Sequence, residues 1–194
     1  TNSPFGMYAF NDEALSLMAH AGMTGIGLGL LGPNIMNDDM EKIIKWNYEL
    51  DEVGIDTISA AGSVAFAMEL NEKGLWDCGL EFGKTDNLSD IFHDIAYRRG
   101  IGDILADGTR KMSERFGGKE FAIHAKGLEL AAYEPRGAVG QGIGYATANR
   151  GGCHLNGGYM VLVEGLSLNV DQQNPHGKPD FTVVFQDLME AVSS

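Results

Sequence analysis

Two short stretches hold most of the side chains able to do chemistry. The first is Asp51-Glu52-Val53-Gly54-Ile55-Asp56. Asn47 and Asp51 are four apart, so on a helix they share one face, and Asn47 continues a stripe of Met40, Ile43 and Ile44. A carboxylate on such a stripe is unfavourable unless something pairs with it. At a helix C-terminus the macrodipole disfavours it by a further ~0.3–1 kcal/mol. Asp51 therefore calls for a donor-rich partner. The amino-pyrimidinone edge of a pterin offers adjacent N–H donors that match the two carboxylate oxygens. Gly54 would then turn the chain and present Ile55 and Asp56 to the same object. A simpler reading leaves Asp51 solvated, with Gly54 ending one helix and Asp56 capping the next. On these residues alone, both stay open.

The second stretch, Glu134 to Gly158, is rich in glycine and carries Arg136, Arg150, Cys153 and His154. An arginine can fork onto a phosphate or carboxylate. An unperturbed histidine titrates near neutrality and can move a proton, which makes His154 a candidate, although a lone histidine is more often structural. Cys153 is a single thiol and reads as buried rather than ligating. Glycines without side chains let backbone approach another surface closely, either a neighbouring helix or a flat ligand.

Helices ended by glycine must position these residues. The patterns predict helices from Asn11 or Asp12 to His20, Asn37 to Val53, Thr57 to Lys73 capped by Asp56, Leu88 towards Gly100, Ile101 to Phe116, and Pro179 to Val192. The third is apolar almost all round, the mark of a buried central helix. Only Phe121, Ile123 and Ala125 alternate like a strand. The formal GxGxxG from Gly27 to Gly32 is followed by Pro33 and sits in no strand–helix–strand unit, so a dinucleotide site is not expected.

Composition narrows the field further. Fourteen Lys plus Arg against 27 Asp plus Glu give a formal charge of −13, which repels nucleic-acid phosphates and anionic membranes. No stretch approaches the roughly 20 apolar residues that span a bilayer. Two cysteines, Cys78 and Cys153, are too few for a disulfide framework or a four-thiolate metal site. A cytoplasmic, reducing setting is the expectation.

Taken in order, the segments resemble one family. DEVGID at Asp51 to Asp56 is similar to the pterin-binding DxxGLD motif of aldehyde ferredoxin oxidoreductases. The likeness continues through AMEL-x-EKG at Ala67 to Gly74 and through GIGD and ADG between Gly100 and Gly108. It runs on through KGLEL-x-AYEPRG at Lys126 to Gly137, GYAT-x-NRGGCHL at Gly144 to Leu155, and VFQDL at Val184 to Leu188. The resemblance implies an all-α, multihelical domain with at most a short β-hairpin, covering residues 30–194 and truncated at its C-terminal end. Residues 1–29 are of unclear origin. It also implies a tungsten, or less often molybdenum, bis-pterin and a 4Fe-4S cluster in a longer enzyme that oxidises aldehydes to carboxylic acids. The partners implied are the remainder of the polypeptide and a ferredoxin-type electron carrier, and the piece alone is expected to hold no cofactor and to be inactive. Asp51, Gly54, Ile55 and Asp56 would contact pterin, and His154 would serve as catalytic proton donor or acceptor.

The departures bear on that reading. Ile26 stands where the family carries a glutamate near the metal. Lys45 and Ser89 stand where some members bind a metal bridging two subunits, so no bridging iron is expected. The cysteines that hold the cluster in the family have no counterpart here. Two alternatives follow: a non-catalytic helical binding or structural module, or a branch acting on an aromatic thioester or hydroxy acid. The enzyme reading predicts that Asp51 and His154 line a common cleft.

Overall fold

The computed structural model describes residues 25–167 and 170–193, so the helix expected at Asn11–His20 lies outside the described residues. The chain divides into two compact units, one ending at Ile123 and the other beginning at His124.

The first unit contains α1 (Gly25–Leu31), a 3-10 turn (Pro33–Ile35), α2 (Met40–Glu52), α3 (Thr57–Glu72), α4 (Leu88–Tyr97), α5 (Ile101–Leu105) and α6 (Gly108–Phe116). As its all-round apolarity predicted, α3 is central. It buries Ala60, Ala61, Ser63, Val64, Phe66, Ala67, Met68 and Leu70 and packs against both α1 and α6. Trp46 of α2 meets Phe92 of α4 edge-on at 6.0 Å. Fully burying a side chain of this kind contributes roughly 1.5–3 kcal/mol, so the α2–α4 contact fixes the helix that leads into Asp51.

Three boundaries differ from the sequence expectation. Helix α2 begins at Met40, because Asp39 caps it by accepting from the Lys42 N–H at 3.2 Å. Asn37 is instead buried and donates to Leu31 O and Asp39 O. Helix α4 stops at Tyr97, where Arg98 takes the left-handed cap position at φ 51°. The single helix expected over Ile101–Phe116 is two, since Gly108 holds φ 80°, which a continuous right-handed helix cannot contain. The GxGxxG glycines lie in and just after α1 rather than in a loop between strand and helix.

The second unit opens with the one short hairpin among the described residues. His124–Ala125 pairs antiparallel with Leu128–Glu129, as β1 and β2. Lys126 at φ 56° and Gly127 at φ 91° form its two-residue turn, the pair of positive angles such hairpins require. Of the predicted strand, only Ala125 is in it. Phe121 packs instead against Phe66 at 5.4 Å. Then come α7 (Val139–Thr147), α8 (Met160–Leu162) running into a π turn (Val163–Ser167), and α9 (Lys178–Ser193). Helix α9 falls where predicted, whereas α7 and α8 were not anticipated. The architecture is mostly helical with a short hairpin, as expected. No single helix among the described residues is long and apolar enough to cross a membrane.

Candidate cofactor and catalytic residues

The end of α2 closes in a Schellman turn. Ile55 N–H donates to Leu50 O at 2.9 Å and Gly54 N–H to Asp51 O at 3.1 Å, with Gly54 at φ 71°. Asp56 then caps α3, accepting from Ser59 N–H at 2.7 Å. The hexapeptide is thus a helix stop followed by a helix start, which satisfies the simpler reading for Gly54 and Asp56. Asn47 and Asp51 part company: Asn47 is buried and Asp51 is exposed. The Asp51 carboxylate makes no hydrogen bond or ion pair among the described residues. Nothing lies within 4 Å of where a side chain on Gly54 would begin, so the surface around this turn is open. Lys45, on the same helix, pairs with Glu49 at 3.5 Å.

His154 belongs to the second unit, and its neighbours come from distant parts of the sequence. Its ring lies 5.8 Å from that of Tyr133 and 5.4 Å from that of Tyr159, both edge-on. The two phenol oxygens are 3.1 Å apart, so one hydroxyl donates to the other. Burial, then the bond to Tyr159, pushes the Tyr133 phenol above its usual range, so it stays a neutral hydrogen-bond donor or acceptor throughout the physiological pH range. Tyr159 N–H donates to His154 O at 2.9 Å, closing the loop. Tyr159 itself is left-handed, at φ 48° and ψ 39°, a conformation costing an L-residue about 1–2 kcal/mol. Buried Cys153 bonds Asn156, its Sγ to Oδ1 at 3.3 Å, and Asn156 Nδ2 donates to Glu190 of α9.

The glycines of this stretch pack protein against protein. A methyl group on Gly144 would collide with the Gly157 carbonyl, on Gly151 with that of Ala125, and on Gly152 with that of Leu128. Of the two surfaces the glycines could meet, these three meet neighbouring backbone rather than a ligand. Arg136 is spent on its neighbour, forking onto Glu134 at 2.8 and 2.9 Å and holding that carboxyl below its usual range. Arg150 is exposed. Beneath them, the buried Glu164 carboxylate accepts from the Gly140 and Gln141 N–H groups at the start of α7, at 2.9 and 3.1 Å, and pairs with buried Lys178.

Sequence reasoning thus found His154 but missed Tyr133 and Tyr159. Both tyrosines lie in or beside the segments that carry the family likeness, yet nothing in their spacing signals contact with residue 154. Asp51 and His154 lie in different units.

A family model described as aldehyde ferredoxin oxidoreductase, domains 2 & 3, matches residues 10–194. The chain belongs to the aldehyde ferredoxin oxidoreductase family. The tungsten-containing aldehyde ferredoxin oxidoreductase of Pyrococcus abyssi is 44% identical over 177 residues, covering 84% of this chain. That of Thermococcus kodakarensis is 43% identical over 175 residues, again 84% of the chain. The chain spans 29% of the length of each of these two relatives. A more distant relative, the WOR-like subunit of an aliphatic sulfonate oxidoreductase from Pyrococcus furiosus, is 34% identical over 139 residues, 65% of this chain and 22% of its own length.

Proposed function

We propose that this chain contributes one side of the cofactor pocket of a tungsten-pterin oxidoreductase, which converts aldehydes to carboxylic acids in the cytoplasm and passes electrons to a ferredoxin-type carrier. The observation that carries the reading is Asp51: an exposed carboxylate with no partner among the described residues, at the end of a helix fixed by a buried contact, inside DEVGID. Its two oxygens suit the paired N–H groups of a pterin edge, and the open surface at Gly54 leaves room for a flat ring. On this reading Asp51 grips the edge, while Gly54, Ile55 and Asp56 shape the turn against which the ring lies. A molybdenum bis-pterin would suit the same residues.

Bound, such a centre supplies the two-electron oxidant. Aldehyde and water give carboxylic acid, two protons and two electrons. His154 holds or releases one of those protons at a ring nitrogen, and the tyrosine rings along one side limit how its imidazole can turn. The residues present do not fit a metal or a four-iron cluster: among the described residues no three His, Cys, Asp or Glu side chains gather to hold an ion. The thiols of Cys78 and Cys153 face Ala67 O and Asn156. Those ligands, and turnover itself, would require the rest of the polypeptide.

The test is metal and pterin analysis of the full-length protein beside its Asp51→Asn variant. The expected result is tungsten or molybdenum with pterin in the parent and roughly tenfold weaker retention in the variant, since a charge-assisted hydrogen bond contributes about 1.5–3 kcal/mol. Equal pterin content in both proteins would remove Asp51 from the site. The 34% identity to a sulfonate oxidoreductase subunit favours a second reading, the same cofactor with another substrate. Assaying aldehydes beside sulfonates, aromatic thioesters and hydroxy acids separates the two.

A further inference from the structure

Tyr159 caps α8 in a left-handed conformation, directly after the turn that starts at His154. It is one of four residues other than glycine with positive φ among the described residues, and it carries a bulky ring. Arg98 and Lys126 sit in a helix cap and a hairpin turn, and Met36 caps a 3-10 turn. Tyr159 caps α8 and joins it to the His154 loop, partly exposed and tied at both its backbone groups. Its N–H donates to His154 O at 2.9 Å, and its own carbonyl accepts from Leu162 N–H at 3.0 Å. Gly158 before it, at φ 88°, lies so close to Thr182 and Phe185 of α9 that a side chain there would press on both. A strained backbone kept in place by its surroundings is a pointer to function.

What the conformation achieves is visible in the side chains. It folds the Tyr159 ring back over His154, 5.4 Å between centroids, while the hydroxyl reaches Tyr133 at 3.1 Å. Tyr133, almost wholly buried, stands beside it, edge-on to the imidazole at 5.8 Å. Two phenols joined at their oxygens, their ring centroids 6.0 Å apart, thus form a wall along one side of the half-exposed histidine.

We propose that Tyr159 is a positioning residue: by bonding the Tyr133 hydroxyl and walling one side of the imidazole, it narrows the orientations open to the His154 ring, so that a ring nitrogen meets the carbonyl oxygen of a bound oxo substrate with a shorter rotational search. The inference rests on the reading of His154 as the proton-handling group. Tyr159 acts through His154 and Tyr133.

Full-length enzyme carrying Tyr159→Phe, which removes one oxygen, or Tyr159→Leu, which removes the wall, tests it against His154→Ala. Two quantities are read: kcat and KM with an aldehyde, and the rate at which diethyl pyrocarbonate modifies His154, followed by peptide mass spectrometry. For Tyr159→Leu we expect kcat roughly tenfold lower with KM within about twofold, as misplacing a reacting group slows the chemical step. The imidazole should also react with the reagent severalfold faster. Tyr159→Phe should fall between this variant and the parent, and it carries the test alone if Tyr159→Leu does not fold. Unchanged kcat and modification rate in Tyr159→Phe and Tyr159→Leu, with His154→Ala inactive, would overturn the positioning role and leave the His154 reading standing. Full activity in His154→Ala would sink the His154 reading and this inference with it.

Discussion

The Asp51–Asp56 turn and the His154 cluster are built in opposite ways. In the first, the contacts join residues at most five apart in sequence: a Schellman turn, a left-handed glycine and an N-cap. In the second, His154 takes its neighbours from residues 133 and 159 and its scaffold from α7, α8 and α9. A site made of local contacts survives changes elsewhere and loses little when one of its own residues changes. A site made of distant contacts depends on the whole unit.

The largest effect is expected at the buried ion pair beneath the second site. Lys178→Met leaves the Glu164 carboxylate buried with only the Gly140 and Gln141 N–H groups. Breaking a buried pair from one side costs about 3–5 kcal/mol. Denaturant unfolding should show that loss, and the double variant Glu164→Gln/Lys178→Met should recover much of it. A single variant as stable as the parent would mean that the His154 unit does not depend on this pair, and the two sites would then not differ in this respect.

Glycine substitutions sharpen the contrast at smaller scale. Gly144→Ala drives a methyl group into the Gly157 carbonyl, which is backbone and cannot swing aside. Overpacking of this kind costs roughly 1–3 kcal/mol, and the shift should pass along the loop to His154. Gly54→Ala meets nothing within 4 Å. Its cost is that of a left-handed alanine alone, about 1 kcal/mol, and Gly54→Asn should recover part of it. Thermal midpoints of the three variants give the order directly, and equal losses for Gly144→Ala and Gly54→Ala would contradict it.

The same difference explains what could be read in the sequence. Periodicity found α2, α3, α4 and α9, since each is an amphipathic or buried helix with a glycine or proline signal near one end. The cap at Asp56 and the turn at Gly54 were legible for the same reason. Helix α7 was not, because its glycines carry no apolar stripe: they exist to let Gly144 touch Gly157. The tyrosine pair beside His154 was equally hidden. Residue 133 follows the hairpin and residue 159 sits in a left-handed bend, and their meeting at residue 154 is decided by tertiary packing, for which no local pattern is written. The single helix expected over Ile101–Phe116 failed on one angle, the positive φ of Gly108, although that glycine was in plain view within ADG.

The smallest change in stability is expected where the functional proposal is strongest. Asp56→Ala deletes the α3 cap and should cost ~1 kcal/mol, with Asp56→Ser restoring most of it. Asp51 is one turn earlier, yet its carboxylate is exposed and holds nothing among the described residues. At the C-terminal end of α2 its charge opposes the macrodipole. Asp51→Asn should therefore leave the unfolding free energy unchanged or raise it by roughly a few tenths of a kcal/mol. Two acids five positions apart would then answer differently: one is needed for folding, the other free for a ligand. If Asp51→Asn destabilises the protein as much as Asp56→Ala does, the carboxylate has a structural partner after all, and its place at the pterin edge loses its physical basis.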